Sequence, residues 1–125
     1  MPRYVVLYHE TPPTYDRLPH FDLMLEAGAA LRTFAMPRWP AAGETVPCEQ
    51  LADHRLAYLD YEGPISGGRG HVTRHEAGEY GIVKENSQTL ALKLCGQRLH
   101  GTLTLVRLAN SQQWEAIWQP AISDA

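Results

Sequence analysis

The sequence predicts an all-β, mainly antiparallel fold, a small closed or strongly curved β-barrel of about eight strands with long loops and at most a short helical turn. Three observations carry this expectation. Nine prolines and ten glycines punctuate 125 residues and cut the chain into short runs. Those runs, about eight or nine of them, are separated by turn residues. Leu90, Leu92 and Leu94 alternate with Ala91, Lys93 and Cys95, a period of two rather than of a helix.

In chain order, residues 3–9 form the first strand, Tyr4-Val5-Val6-Leu7-Tyr8 ending on His9. Adjacent prolines cannot sit in a paired central strand, so 10–19 is a loop. Residues 20–26 form the second strand, and Ala27-Gly28 turns the chain into a third, Ala30–Met36, which Pro37 stops. Residues 37–43 are loop. Glu49–Ala52 reads as a short helical turn before Asp53-His54, and a strand over Leu56–Tyr61 ends at Glu62-Gly63-Pro64. Residues 66–70 form a flexible turn, and 70–75 with 79–83 read as a hairpin around Ala77-Gly78. Residues 90–95, 99–108 (after a turn at Gly96-Gln97) and 114–118 complete the set.

Composition bounds what this domain does. A chain of 125 residues suits one domain, 1–125, with one core. Apolar content of 44% with 20% charged residues fits a globular protein and excludes a disordered one. Eleven basic against 14 acidic residues, a net charge of −3, argue against unspecific wrapping of duplex nucleic acid, yet leave room for holding one nucleic acid end in a local site. No apolar run is long enough to cross a bilayer and no signal-peptide core is present, so no membrane partner is expected. Cys48 and Cys95, far apart, make neither a disulfide framework nor a cysteine zinc site, which points to the cytoplasm.

The candidate site begins at His20-Phe21-Asp22-Leu23-Met24-Leu25-Glu26. On a strand, His20, Asp22, Met24 and Glu26 share one face, and Phe21, Leu23 and Leu25 share the other. A helix would leave no clean polar face. The strand sets an imidazole and a carboxylate roughly 6–7 Å apart at Cα, which side chains can close onto one ion. His9 can supply a third ligand, and two histidines with one carboxylate suit a catalytic divalent metal. The same face turned to solvent is the plainer alternative, and spacing alone leaves both open.

Four segments in order resemble the 3′-phosphoesterase domain of bacterial DNA ligase D and its stand-alone relatives. His9 with His20–Glu26 is similar to the family's His…His-Tyr-Asp-Phe-Arg-Leu-Glu. Leu31–Pro37 and Arg38 resemble Leu-Lys-Ser-Trp-Ala-Val-Pro-Lys. Asp53-His54-Arg55-Leu56-Ala57-Tyr58, then Tyr61–Ile65, resemble Asp-His-Pro-Leu-x-Tyr and Phe-Glu-Gly-x-Ile. Gly96–Gly101, Leu105–Arg107 and Trp114 resemble its final hairpin. The resemblance implies a small β-barrel carrying a divalent metal, usually Mn2+, with Zn2+ or another transition metal as alternatives. It also implies removal of a 3′-terminal ribonucleoside and then of a 3′-phosphate from nucleic acid ends, in DNA repair beside a ligase or polymerase. Carried over, His9, His20 and Asp22 match metal ligands, His54 and Tyr58 match residues near the scissile phosphate, and Arg38 stands where the family has a lysine.

These residue types fit that chemistry. Neutral imidazoles and one carboxylate leave a divalent ion net positive toward a phosphoryl oxygen. An imidazole, with an ordinary pKa of about 6.5, can stabilise phosphate as a cation or protonate a leaving oxygen, the expected role of His54. Tyr58 can hydrogen-bond phosphate or His54, and Arg38 offers a charge-assisted fork. The departures are as informative. Met24 stands where the family has an arginine, Ala52 where it has an acid, and another family arginine falls on or near Val46. The 10–19 loop is longer than the family's and the 66–70 loop shorter. Arg17 or Arg55 is the expected substitute for a lost arginine. His71, His75 and His100 read as surface residues; His71 and His75, roughly 13 Å apart along a strand, cannot share a metal. Gly67–Gly70 lacks the following Lys-Ser/Thr of a phosphate loop, and Trp39, Trp114 and Trp118 read as packing.

Three functions follow in order of expectation: a metal-dependent phosphoesterase acting on 3′ ends, a catalytically degenerate module binding metal or phosphate in a repair or end-joining complex, and a scaffold with no working site.

Overall fold

Each short run of alternating residues has one apolar face to bury, and pairing them into a sheet that closes on itself buries all of those faces at once. The computed structural model describes residues 1–122. Its strands are β1 (Arg3–Glu10), β2 (His20–Ala27), β3 (Ala30–Met36), β4 (Thr45–Arg55), β5 (Gly63–Pro64), β6 (His71–Glu85), β7 (Thr89–Gly96), β8 (His100–Arg107) and β9 (Gln113–Pro120), with one 3₁₀ turn at Leu56–Leu59. The sheet order is β1-β2-β3-β4-β9-β8-β7-β6-β5, and β1 also pairs with β6. Eight strands therefore form a closed antiparallel ring, with the two-residue β5 laid against one end of β6. The expected all-β class, closure and strand number are what the chain adopts.

Two apolar layers hold this ring. Tyr4, Val6, Leu23, Leu25, Phe34 and the leucines of β7 and β8 fill its interior with Trp114 and Trp118. The second layer lies outside the ring. Val5, Leu7 and Met24 on the outer faces of β1 and β2 pack with Leu31, Leu59, Ile65 and Val72. The segment from the 3₁₀ turn to the start of β6 covers Val5, Leu7 and Met24, so these stretches of β1 and β2 are buried on both sides.

Three local expectations differ from the structure. Glu49–Ala52, expected as a helical turn, belongs to β4, because Glu49 pairs with Ala35 and Gln113 and Leu51 pairs with Thr33. Ladder pairing on both sides overrides the helix preference of Glu-Gln-Leu-Ala. Leu56–Tyr61, expected as a strand, contains the 3₁₀ turn instead. Arg55 pairs with Ala30, the first residue of β3, so the next residues have no partner and fold over the outer face, burying Leu59. Residues 71–85 form one 15-residue strand rather than a hairpin around Ala77-Gly78. Gly78 serves close approach, not a turn: a Cβ there would lie 2.4 Å from the Cys95 carbonyl oxygen on β7.

Glu76, 2% exposed, sits beside that contact. Its carboxylate accepts backbone N–H bonds from Ala77, Gln97, Arg98 and Leu99, fixing the β7–β8 turn. This is a structural anion, satisfied in the way burial of a charge requires.

Candidate metal and phosphate site

Antiparallel register creates the site. His9 lies directly opposite His20 across β1 and β2, and Leu7 lies opposite Asp22. The period of two turns His9, His20 and Asp22 to the outer face, next to the second apolar layer. The side chains of His20 and Asp22 are 7% and 4% exposed and that of His9 12%. One ligand atom from each of the three lies within 4.8 Å of the others. His9 Nδ1 is 3.9 Å from Asp22 Oδ2, and His20 Nε2 is 3.2 Å from Asp22 Oδ1.

Backbone carbonyls fix which ring nitrogens face inward. His9 donates from Nε2 to the Arg69 carbonyl at 2.8 Å, and His20 donates from Nδ1 to the Leu18 carbonyl at 2.8 Å. The lone pairs of His9 Nδ1 and His20 Nε2 are then left for a cation, an arrangement common to metal-bound histidines. With His20 neutral, the buried Asp22 Oδ1 has no hydrogen-bond donor. A carboxylate between two bare imidazole nitrogens is short of positive charge, so the donor set fits a divalent ion. A proton answers the same need. Burial works against the charged His20 ring, but the hydrogen bond and charge of Asp22 and the Leu18 carbonyl outweigh burial and the opposing Arg17, so its pKa is raised.

The three residues open into a cleft of about 100 Å³. Tyr15 and Arg17 line it from the long β1–β2 loop, His54 and Tyr58 from the end of β4 and the 3₁₀ turn, and Arg69 from the glycine-rich loop before β6. Met24, Leu51, Ile65 and Val72 make its apolar floor. His54 is placed by a bulge in β4: Leu31 pairs with His54 but Thr33 with Leu51, so β4 carries one extra residue there. Its Nδ1–H donates to the Ala52 carbonyl at 2.9 Å, leaving Nε2 free, and its ring meets Tyr58 edge-on with centroids 5.8 Å apart. Arg17 is 3.0 Å from Glu49.

Arg38 does not join this group. It is exposed and pairs with Glu44 within the β3–β4 loop, outside the cleft lining. Arg55, at the end of β4, lines a neighbouring pocket with Tyr58 and Tyr61 instead. Met24, 1% exposed, is part of the outer apolar layer, and Val46 is in the ring interior. His75 packs against Phe21 at 5.1 Å and His71 pairs with Glu10 at 2.8 Å, both exposed as expected. Trp114 and Trp118 are core residues, and Trp39 packs edge-on against Trp118. Tyr15 and Arg69 carry no sequence pattern that marks them; only folding of their loops brings them to the cleft.

A β-ring with an outer cleft that converges two histidines, a carboxylate, a further histidine and arginines has the parts of a metal-assisted phosphoryl site. Comparison with known proteins gives the family. The DNA Ligase D 3′-phosphoesterase domain matches residues 13–107, and the chain belongs to that family. It is 30% identical over 128 residues to the multifunctional non-homologous end joining protein LigD of Pseudomonas aeruginosa, covering 90% of this chain and 14% of that protein. It is 29% identical over 113 residues to the multifunctional non-homologous end joining DNA repair protein LigD of Mycobacterium tuberculosis, covering 82% of this chain and 14% of the relative. The chain thus spans about one-seventh of the length of these relatives. Among the described residues no helix is long and apolar enough to cross a membrane.

Proposed function

We propose that this domain is a divalent-metal-dependent phosphoesterase that processes 3′ ends of nucleic acid in end-joining repair, removing a 3′-phosphate or a 3′-terminal ribonucleoside. The observation that carries this reading is the convergence of His9, His20 and Asp22 with His54 in one cleft. His9 Nδ1, His20 Nε2 and Asp22 would hold the cation, with Mn2+ favoured by the family and Zn2+ or another transition metal as alternatives. When bound, the cation supplies Lewis acidity and positive charge toward a phosphoryl oxygen.

The chain's own residues do the rest. His54, its Nδ1–H committed to Ala52, presents Nε2 to the cleft and in its protonated form donates there to phosphate or to the leaving oxygen. Tyr58 packs against that ring and fixes its plane. Arg17 lines the phosphate space with its charge shared with Glu49. Arg38, one loop away and paired with Glu44, can serve a phosphate only further along a bound strand. Nucleic acid 3′ ends are the substrate class, and a separate ligase or polymerase in the cytoplasm would use the 3′-hydroxyl produced.

A second reading, a degenerate module that binds metal or phosphate without hydrolysis, is favoured by one observation, the apolar Met24 under the cleft. A primer–template ending in a ribonucleotide or a 3′-phosphate, incubated with manganese, separates the two. Release by wild type that disappears in His20→Ala supports the phosphoesterase; no release while manganese still binds supports the module.

A further inference from the structure

The cleft contains two arginines, and their charges are in different states. The Arg17 guanidinium is 3.0 Å from the Glu49 carboxylate and adds no net charge. Arg69 has no carboxylate partner among the described residues; its Nε donates to the Ser66 carbonyl at 2.7 Å and its Nη2 to the Ser66 hydroxyl at 3.1 Å, both neutral acceptors. Its position, by contrast, is fixed. The Arg69 carbonyl accepts the His9 Nε2–H, which ties its backbone to a candidate metal ligand. The next residue, Gly70, lies so close to β1 that a Cβ would sit 1.9 Å from the Glu10 carbonyl oxygen. The loop is thus pinned beside His9 while the guanidinium stays exposed and exchangeable.

We infer that Arg69 is the phosphate-binding cation of this cleft, taking over from the backbone side what Met24 cannot supply from the floor. This rests on the proposed phosphoesterase reading. The Arg17–Glu49 pair adds no net charge to the cleft, so the unpaired guanidinium of Arg69 is the arginine charge left for a phosphate. Exchange of the two Ser66 contacts for phosphate oxygens replaces neutral acceptors by charged ones, the stronger kind of bond for a guanidinium.

The test is equilibrium binding of a nucleoside 3′-monophosphate, with and without manganese, beside a separate manganese titration. Arg69→Ala should bind the nucleotide at least about tenfold more weakly, with manganese affinity unchanged and added guanidinium ion restoring part of the loss. Arg98→Ala, which removes an exposed arginine outside the cleft, should bind as wild type. Unchanged nucleotide binding in Arg69→Ala, in a wild-type protein that hydrolyses 3′ ends, overturns the inference and leaves the phosphoesterase reading standing. Equal loss of manganese and nucleotide affinity, without guanidinium rescue, assigns Arg69 to loop bracing and also overturns it. A wild type that neither binds the nucleotide nor hydrolyses 3′ ends removes the reading and the inference together.

Discussion

Replacing Asp22 by asparagine separates what the site costs the fold from what it offers a metal. In chelator at alkaline pH His20 is neutral, and the Asp22 carboxylate faces the bare Nε2 at 3.2 Å with Oδ1 lacking a donor. A buried charged group left in that state costs about 1–3 kcal/mol or more. The near-isosteric amide donates from its nitrogen to His20 Nε2, so Asp22→Asn should stabilise the metal-free protein by about 2 kcal/mol at pH 9, a midpoint rise of roughly 8 °C for a chain of this size. At low pH the sign reverses. The folded-state pKa of His20 is raised, so its protonated form contributes stability that is fully present below the ordinary value of about 6.5 and is lost as pH rises through the folded value. At pH 6 wild type holds an imidazolium–carboxylate pair that the amide cannot match, and the variant should be the less stable protein. Calorimetric scans in chelator at both pH values measure this. Manganese at about a hundred times its Kd should then add about 2.7 kcal/mol to wild type and nothing to the variant. A variant less stable than wild type at pH 9 as well as at pH 6 would refute the reasoning, because Asp22 would then be satisfied without a cation.

Two further outcomes follow from the same packing. Glu76→Ala removes the acceptor of four backbone N–H groups, three at the β7–β8 turn and that of Ala77 on β6, and should cost at least about 3 kcal/mol by urea unfolding, without changing manganese affinity in the folded protein. Met24→Arg places a charge among Val5, Leu7, Leu31, Leu59, Ile65 and Val72 and should cost at least about 2 kcal/mol; a melting temperature equal to wild type would mean the outer layer is not closed over Met24.

The parts of this molecule legible in its sequence are those set by alternation. That His20 and Asp22 share a face is fixed by three consecutive residues, and the end of β3 is fixed by Pro37. What that face meets depends on residues more than 30 positions away, and so the second apolar layer under the 3₁₀ turn is not written locally. Met24 therefore reads as a lost phosphate contact in sequence and as core in structure. The same logic explains Glu49–Ala52 and Leu56–Leu59, where the available strand partner decides against local preference. Gly78 has the composition of a turn but the job of close packing, and Glu76 gives no sign of burial because three of its four donors come from a turn 21–23 residues on. The motif residues His9, His20, Asp22, His54 and Tyr58 line one cleft, Arg17 arrives with its charge already paired, Arg38 stays outside, and Arg69 enters from a loop whose composition signals only flexibility.

The central claim is that His9, His20 and Asp22 hold one divalent ion on the outer face of the β1–β2 pair. Anomalous diffraction at the manganese edge from crystals grown with Mn2+ tests it directly. One strong peak is expected within bonding distance of His9 Nδ1, His20 Nε2 and Asp22, absent from Asp22→Asn crystals. Manganese bound elsewhere on the protein, with these three side chains unchanged and without a peak between them, would contradict it.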